Sequence, residues 1–158
     1  MYTFNGLLKL LTTMKTVKFL LLLFPIILIG TFARAQKPNV EGIWKIKSLK
    51  DSGKMIEVGS KETTVEMKSK EKSILVYVGC NRLTSKLEFI TGDKIQPFVL
   101  SATRKSCKDN IETLESSTRY VLEQTNSIRK NGAKMEFFKD NDLLMVLERP
   151  VNNGKKKK

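Results

Sequence analysis

Histidine is absent from all 158 residues, cysteine occurs twice and tryptophan once. The missing histidine excludes Ser-His-Asp type triads, HExxH zinc sites and imidazole proton shuttling at neutral pH. Serine and threonine nucleophiles are left without their usual base, and neither a paired-carboxylate pattern nor a glycine-rich phosphate loop replaces it. No enzymatic activity and no cofactor or metal are therefore expected.

Acidic residues are also scarce: 16 Asp and Glu stand against 29 Lys and Arg, a formal net charge of +13. Four of the basic residues (Lys9, Lys15, Lys18, Arg34) and no acidic one precede Gln36, so the remainder carries 25 against 16, a net of +9. Lys155, Lys156, Lys157 and Lys158 account for four more, which leaves about +5 for the folded part and only ordinary basicity. No stripe of interleaved basic and aromatic residues runs through it, so nucleic acid is not an expected partner.

One long apolar run exists. Lys15 and Lys18 precede an uncharged stretch over 19–30 that ends near Ala33-Arg34-Ala35, the three-part order of a secretory signal peptide. The expectation is cleavage between Ala35 and Gln36, with the mature protein periplasmic or secreted. A membrane anchor is the alternative, but the run is shorter than the roughly 20 residues that span a bilayer, and Pro25 interrupts it. No cysteine follows the cleavage position, so the lipid-anchored form of export is not expected. Met14 opens a more conventional leader than Met1 and is a candidate start.

Past a short extended lead, residues 42–49 alternate, with Trp44 and Ile46 inward and Lys45 and Lys47 outward, which predicts a strand. Asp51-Ser52-Gly53 supplies a turn. Val65 and Met67 predict a second half-buried strand, and 68–72 carries enough charge to be a solvated turn. Residues 74–78 are apolar on both faces and predict a strand near the middle of the structure. Further strands are expected over 86–90 and 94–100, with Pro97 marking an edge or bend. Asp109 and Glu112 form a capping box ahead of Ile111, Leu114, Thr118, Val121 and Leu122 at helical spacing, predicting one helix over about 110–124. Asn131-Gly132 and Asp140-Asn141-Asp142 then signal two hairpins. The fold class is mainly β, a small curved or barrel-like antiparallel sheet with that one helix packed on it. Pro150 ends the last strand, and 150–158 reads as a disordered Lys-rich tail.

Trp44 near the start, Gly79-Cys80-Asn81-Arg82 at a strand end, Thr103-Arg104 with Cys107, Glu115 in the following helix and two terminal hairpins together resemble the META domain family, that of the heat-shock protein HslJ. The resemblance covers 40–149. It departs after Arg82, where Leu83-Thr84-Ser85 stands in place of the family's aromatic, small residue and glycine. It implies a curved antiparallel sheet with one helix, export to the bacterial envelope and an association with stress tolerance. It assigns no catalytic residue.

An exported chain with two cysteines is expected to pair them, and closing the loop from Cys80 to Cys107 is worth roughly 3.5 kcal/mol. A redox or metal site is the alternative; redox pairs normally stand closer, as CxxC. Asn81 and Arg82 invite either an anionic ligand or a plainer role, with Asn81 bonding turn backbone and Arg82 pairing a carboxylate. Arg104 invites the same two readings. Trp44, Tyr77, Phe89, Phe98, Phe137 and Phe138 either line a cavity or fill the barrel, and filling is the expectation for so small a sheet. The functional expectation is an exported, non-enzymatic domain of the envelope, acting through binding or stress protection with an unidentified envelope protein. The alternative is a carrier of a small apolar ligand in an open barrel. The lysine tail suits weak electrostatic contact with an anionic membrane surface.

Overall fold

The computed structural model describes residues 36–59, 61–107 and 109–150. The expected leader and the lysine tail from residue 151 onward lie outside the described residues.

The longest strand, β1 (Gly42–Asp51), is the axis of the sheet. Trp44 and Ile46 are buried as the alternation predicts, and a register irregularity between Ile46 and Ser48 lets Ser48 and Leu49 be buried in succession. Ser52 and Gly53, both at positive φ, turn the chain into β2 (Lys54–Glu57), which pairs back on β1. β2 was not foreseen: all four of its residues are exposed, so no alternation marks it. β3 (Thr64–Lys68) pairs with the first part of β1 and points Val65 and Met67 inward.

β4 (Ser73–Tyr77) lies between β3 and β5 (Arg82–Lys86). It is internal as expected, but its burial alternates, with Ile74 and Val76 in the core and Leu75 and Tyr77 half-buried outside. Apolar residues on both faces therefore do not mean two buried faces here. The strand expected over 86–90 divides instead. Lys86 ends β5, Leu87 and Glu88 break the strand, and β6 (Phe89–Thr91) follows. The stretch expected over 94–100 gives only β7 (Lys94–Ile95) and, beyond Pro97, β8 (Ser101–Ala102).

Helix α1 (Asp109–Gln124) covers the expected span. Its Leu114, Val121 and Leu122 join the same buried cluster as the sheet; the Asp109 side chain of the capping box lies outside the described side chains. The hydroxyls of Thr118 and Thr125 donate to the carbonyls of Leu114 and Val121 at 2.7 and 2.8 Å, which lets both be buried, Thr118 within the helix and Thr125 just past its end. The terminal hairpins are β9 (Ser127–Asn131), β10 (Lys134–Lys139) and β11 (Asp142–Glu148). Asn131 pairs with Lys134, so the first turn is Gly132-Ala133, one residue later than Asn131-Gly132.

The sheet runs β6-β7-β9-β10-β11-β1-β3-β4-β5-β8, antiparallel throughout, with β2 beside β1. β5 and β6 stand near opposite ends of that order, yet only Leu87 and Glu88 separate them in the chain. Three Cα steps span at most about 11 Å. The sheet must therefore curl back on itself, giving a half-barrel. Leu87 and Gln96 fasten the seam with backbone bonds to Lys72 and Glu88, each 2.8 Å, and Phe98 is buried in the core.

Candidate functional site

The Gly79 to Arg82 motif sits where β4 hands over to β5. Val78 is buried, and Gly79 then takes φ +79°, a left-handed conformation that a side chain would resist. This sharp turn presents Cys80 and Asn81 to the loop that follows β8. Cys80 and Cys107 are joined by a disulfide, their Cα atoms 6.1 Å apart.

Asn81 completes the join. Its carboxamide oxygen accepts from the Thr103 hydroxyl at 2.9 Å and the Lys105 amide at 2.8 Å. Its amide nitrogen donates to the Lys105 carbonyl at 3.2 Å and to the Cys107 sulfur at 3.2 Å. The side chain thus pairs with the Lys105 backbone as a neighbouring strand would. Thr103 continues the ladder: its amide donates to the Arg82 carbonyl at 3.1 Å, and its hydroxyl oxygen accepts from the Arg82 amide at 3.0 Å. Asn81 is buried and its hydrogen-bonding capacity is filled. Its partners lie in the loop after β8 and not in its own turn, where bonding to turn backbone was expected.

Arg82 and Arg104 behave differently. Arg82 opens β5 rather than remaining in the turn, and both side chains are exposed. Neither forms an ion pair with a described residue, so the carboxylate partner expected for Arg82 is not found there. Leu83, which departs from the family pattern, is fully buried and fills the core from β5.

Beside the loop lies an open polar cleft of about 610 Å³, lined in part by Asn81, Arg104, Lys105, Glu115 and Arg119. Three cations face one carboxylate. One oxygen of that carboxylate, Oε2 of Glu115, is buried without a hydrogen-bond partner. Arg119 also lies 4.0 Å from Glu123. The excess of positive charge suits an anion more than a cation. Among the described residues no group of three or more His, Cys, Asp or Glu is placed to hold a metal ion.

The aromatic residues divide by depth. Trp44, Phe98 and Phe137 belong to one packed cluster that also takes in the helix, and Phe89 packs partly buried against it. Tyr77 and Phe138 are half-buried. The Trp44 indole N–H donates to the Val40 carbonyl at 2.9 Å, and the Arg149 guanidinium lies 3.7 Å from the Trp44 ring centroid. That guanidinium also donates to the carbonyls of Glu41 and Ile43, at 2.7 and 3.1 Å. Gly42 between them has φ +111°, and a Cβ there would collide with the Arg149 Nη1. Nothing in the sequence marked Arg149 for this part, since an arginine beside a terminal proline is unremarkable.

The META domain family profile matches residues 38–150. The chain belongs to the META domain family. No curated protein matches it. Among solved structures it is similar to the NMR structure of a protein from Burkholderia xenovorans, at 17% identity and a TM-score of 0.53, covering 77% of this chain and 97% of that one. At that identity the likeness concerns the fold alone. Within this META domain, the paired GCNR and TRxxC motifs meet as one staple between the β4–β5 turn and the loop after β8.

Proposed function

We propose that this META domain is an exported, non-enzymatic component of the bacterial cell envelope, associated with stress, that acts by binding or protection rather than by turnover. The observation that carries the reading is the condition of the motif. Both sulfurs are spent in a disulfide and Asn81 is fully bonded, so the most reactive groups serve to hold shape. A disulfide of this kind fits an oxidising, extracytoplasmic location, and the leader expected over 1–35 supplies the route. The exposed cations of the loop and the lysine tail then suit contact with an anionic envelope surface.

A carrier of a small apolar ligand is the second reading. Trp44 and Phe137 work against it, because they are buried at 1% and 0% exposure inside a cluster shared with α1, where an open barrel would expose them to its lumen.

Mass measurement on protein from the exported fraction of its producing cell tests both. The proposal expects a chain beginning at Gln36 that resists alkylation until reduced, with no small molecule on the native protein. An extra native mass would favour the carrier, and an uncleaved, alkylated chain would contradict export.

A further inference from the structure

A second concavity lies away from the staple, where α1 meets the β1–β2 turn and the β10–β11 hairpin. Its volume is about 560 Å³, within the range of small-ligand sites. It differs from the cleft beside Arg104 in its balance of charge. Lys50 and Lys139 face Asp51 and Asp142, two cations against two anions. A net charge of zero gives no preference for an anion or a cation, and it favours a neutral ligand.

The polar groups are also fixed in place. Lys50 holds Asp142 at 2.6 and 2.7 Å, Asp51 accepts from the Ser117 hydroxyl at 2.6 Å, and Lys139 donates to the Gln124 side-chain oxygen at 2.5 Å. Each pair leaves capacity unused: further protons on both ammonium groups, the second Asp51 oxygen and the Gln124 amide protons. Donors and acceptors held in position without net charge suit a ligand rich in hydroxyl groups.

Tyr120 supplies the other requirement. Its side chain lines the concavity and is 60% exposed, so the ring offers an apolar face with a polar tip at the rim. Leu144, buried in the core, closes the floor. A saccharide ring presents apolar C–H faces and a rim of hydroxyls, and this concavity presents the complement of both. We infer that the concavity between α1, the β1–β2 turn and the β10–β11 hairpin binds an uncharged saccharide, with Tyr120 as the stacking surface. The inference rests on the binding reading above and gives it a ligand class at a site separate from the staple.

The test is an NMR titration of the full chain with N,N′-diacetylchitobiose, a neutral disaccharide, beside sodium glutamate as a charged comparator. The expected result is displacement of amide signals over 51–53, 116–124 and 139–144 by the disaccharide, with a Kd on the order of 1 mM. Tyr120→Ala should weaken binding about tenfold, a loss of about 1.4 kcal/mol, and leave the melting temperature unchanged because the ring is exposed. Tyr120→Phe should retain most of the affinity. No displacement at about 20 mM, some twenty times that Kd, would overturn the inference. So would equal binding by Tyr120→Ala, or glutamate displacing these signals in place of the sugar. A failed titration with an exported, disulfide-bonded chain overturns the saccharide alone, whereas a reduced cytoplasmic chain overturns the envelope reading whatever the titration shows.

Discussion

Two places in the molecule tie together segments far apart in the chain, and they do so by different chemistry. At the end of β4 a disulfide and a buried carboxamide hold the loop of residues 103–107 against the start of β5. At the start of β1 a guanidinium from the last described residues lies over the Trp44 ring and bonds two carbonyls of the opening segment. The first joint is covalent and specific in residue type, because a side-chain amide carries a donor and an acceptor side by side and so matches the N–H and C=O of one residue, Lys105. The second is open to solvent on one side and depends on shape, with Gly42 leaving room for Arg149. A fastening that needs particular atoms leaves a motif in the sequence; one that needs proximity leaves almost none.

The largest effect should come from breaking the covalent joint. Replacing Cys80 and Cys107 by alanine is expected to cost about 3.5 kcal/mol, read as a shift in the urea midpoint, and reductant should reproduce it in the wild type. Arg149→Ala should respond to reductant just as the wild type does. Asn81→Ala comes next, at about 1–2 kcal/mol, since it removes the four hydrogen bonds of a buried side chain and leaves the part-buried amide and carbonyl of Lys105 to water. Asn81→Asp should lie close to it, because a carboxylate cannot donate to the Lys105 carbonyl.

The second joint should break more gently. Arg149→Ala is expected to lose about 1–2 kcal/mol from the ring contact and the two carbonyl bonds. Gly42→Ala should lose a similar amount through its positive φ and the clash with the guanidinium. Combined, the two substitutions should cost less than the sum of their separate effects, because the clash disappears with Arg149; strict additivity in denaturant unfolding would show that Gly42 and Arg149 do not meet as described.

The smallest effect concerns a relative of that joint. Arg129 lies over the Phe138 ring, 4.4 Å from its centroid, much as Arg149 lies over Trp44, but it also donates to Asp93 at 2.7 Å. The hydrogen bond from Arg129 holds the Asp93 carboxyl below its ordinary 3.8. A carboxylate depressed in the folded state adds stability above the ordinary value and loses it as the pH falls through the depressed one. Stability should therefore drop modestly below pH 3.8, the ordinary value, and Asp93→Asn should flatten that part of the profile. Substituting Arg149, which has no carboxylate at its ring, should leave the shape of the acid limb unchanged.

What could be read from the residues follows the same division. Strands with one buried face, such as β1 with Trp44 and Ile46 or β3 with Val65 and Met67, show their alternation plainly. The helix shows its period because Leu114, Val121 and Leu122 share one buried side. β5 escaped notice because Leu83 is its one fully buried residue among Arg82, Thr84, Ser85 and Lys86, and β2 because it buries nothing. Both exist through pairing with a neighbour, and pairing leaves no hydrophobic trace. At the candidate site, the two cysteines and Asn81 were visible as residue types, but the partner of Asn81 is the backbone of Lys105, which carries no signature. Tyr120 stood at an outward helical position beside Ser116 and Gln124, a pattern that sequence cannot distinguish from an ordinary solvated face.

Asn81 and the disulfide together fix the loop after β8. Amide hydrogen exchange at Lys105 under native conditions tests this most directly. The prediction is strong protection in the wild type, and loss of that protection in Asn81→Ala while the disulfide remains intact. Rapid exchange at Lys105 in the wild type, or undiminished protection in Asn81→Ala, would contradict it.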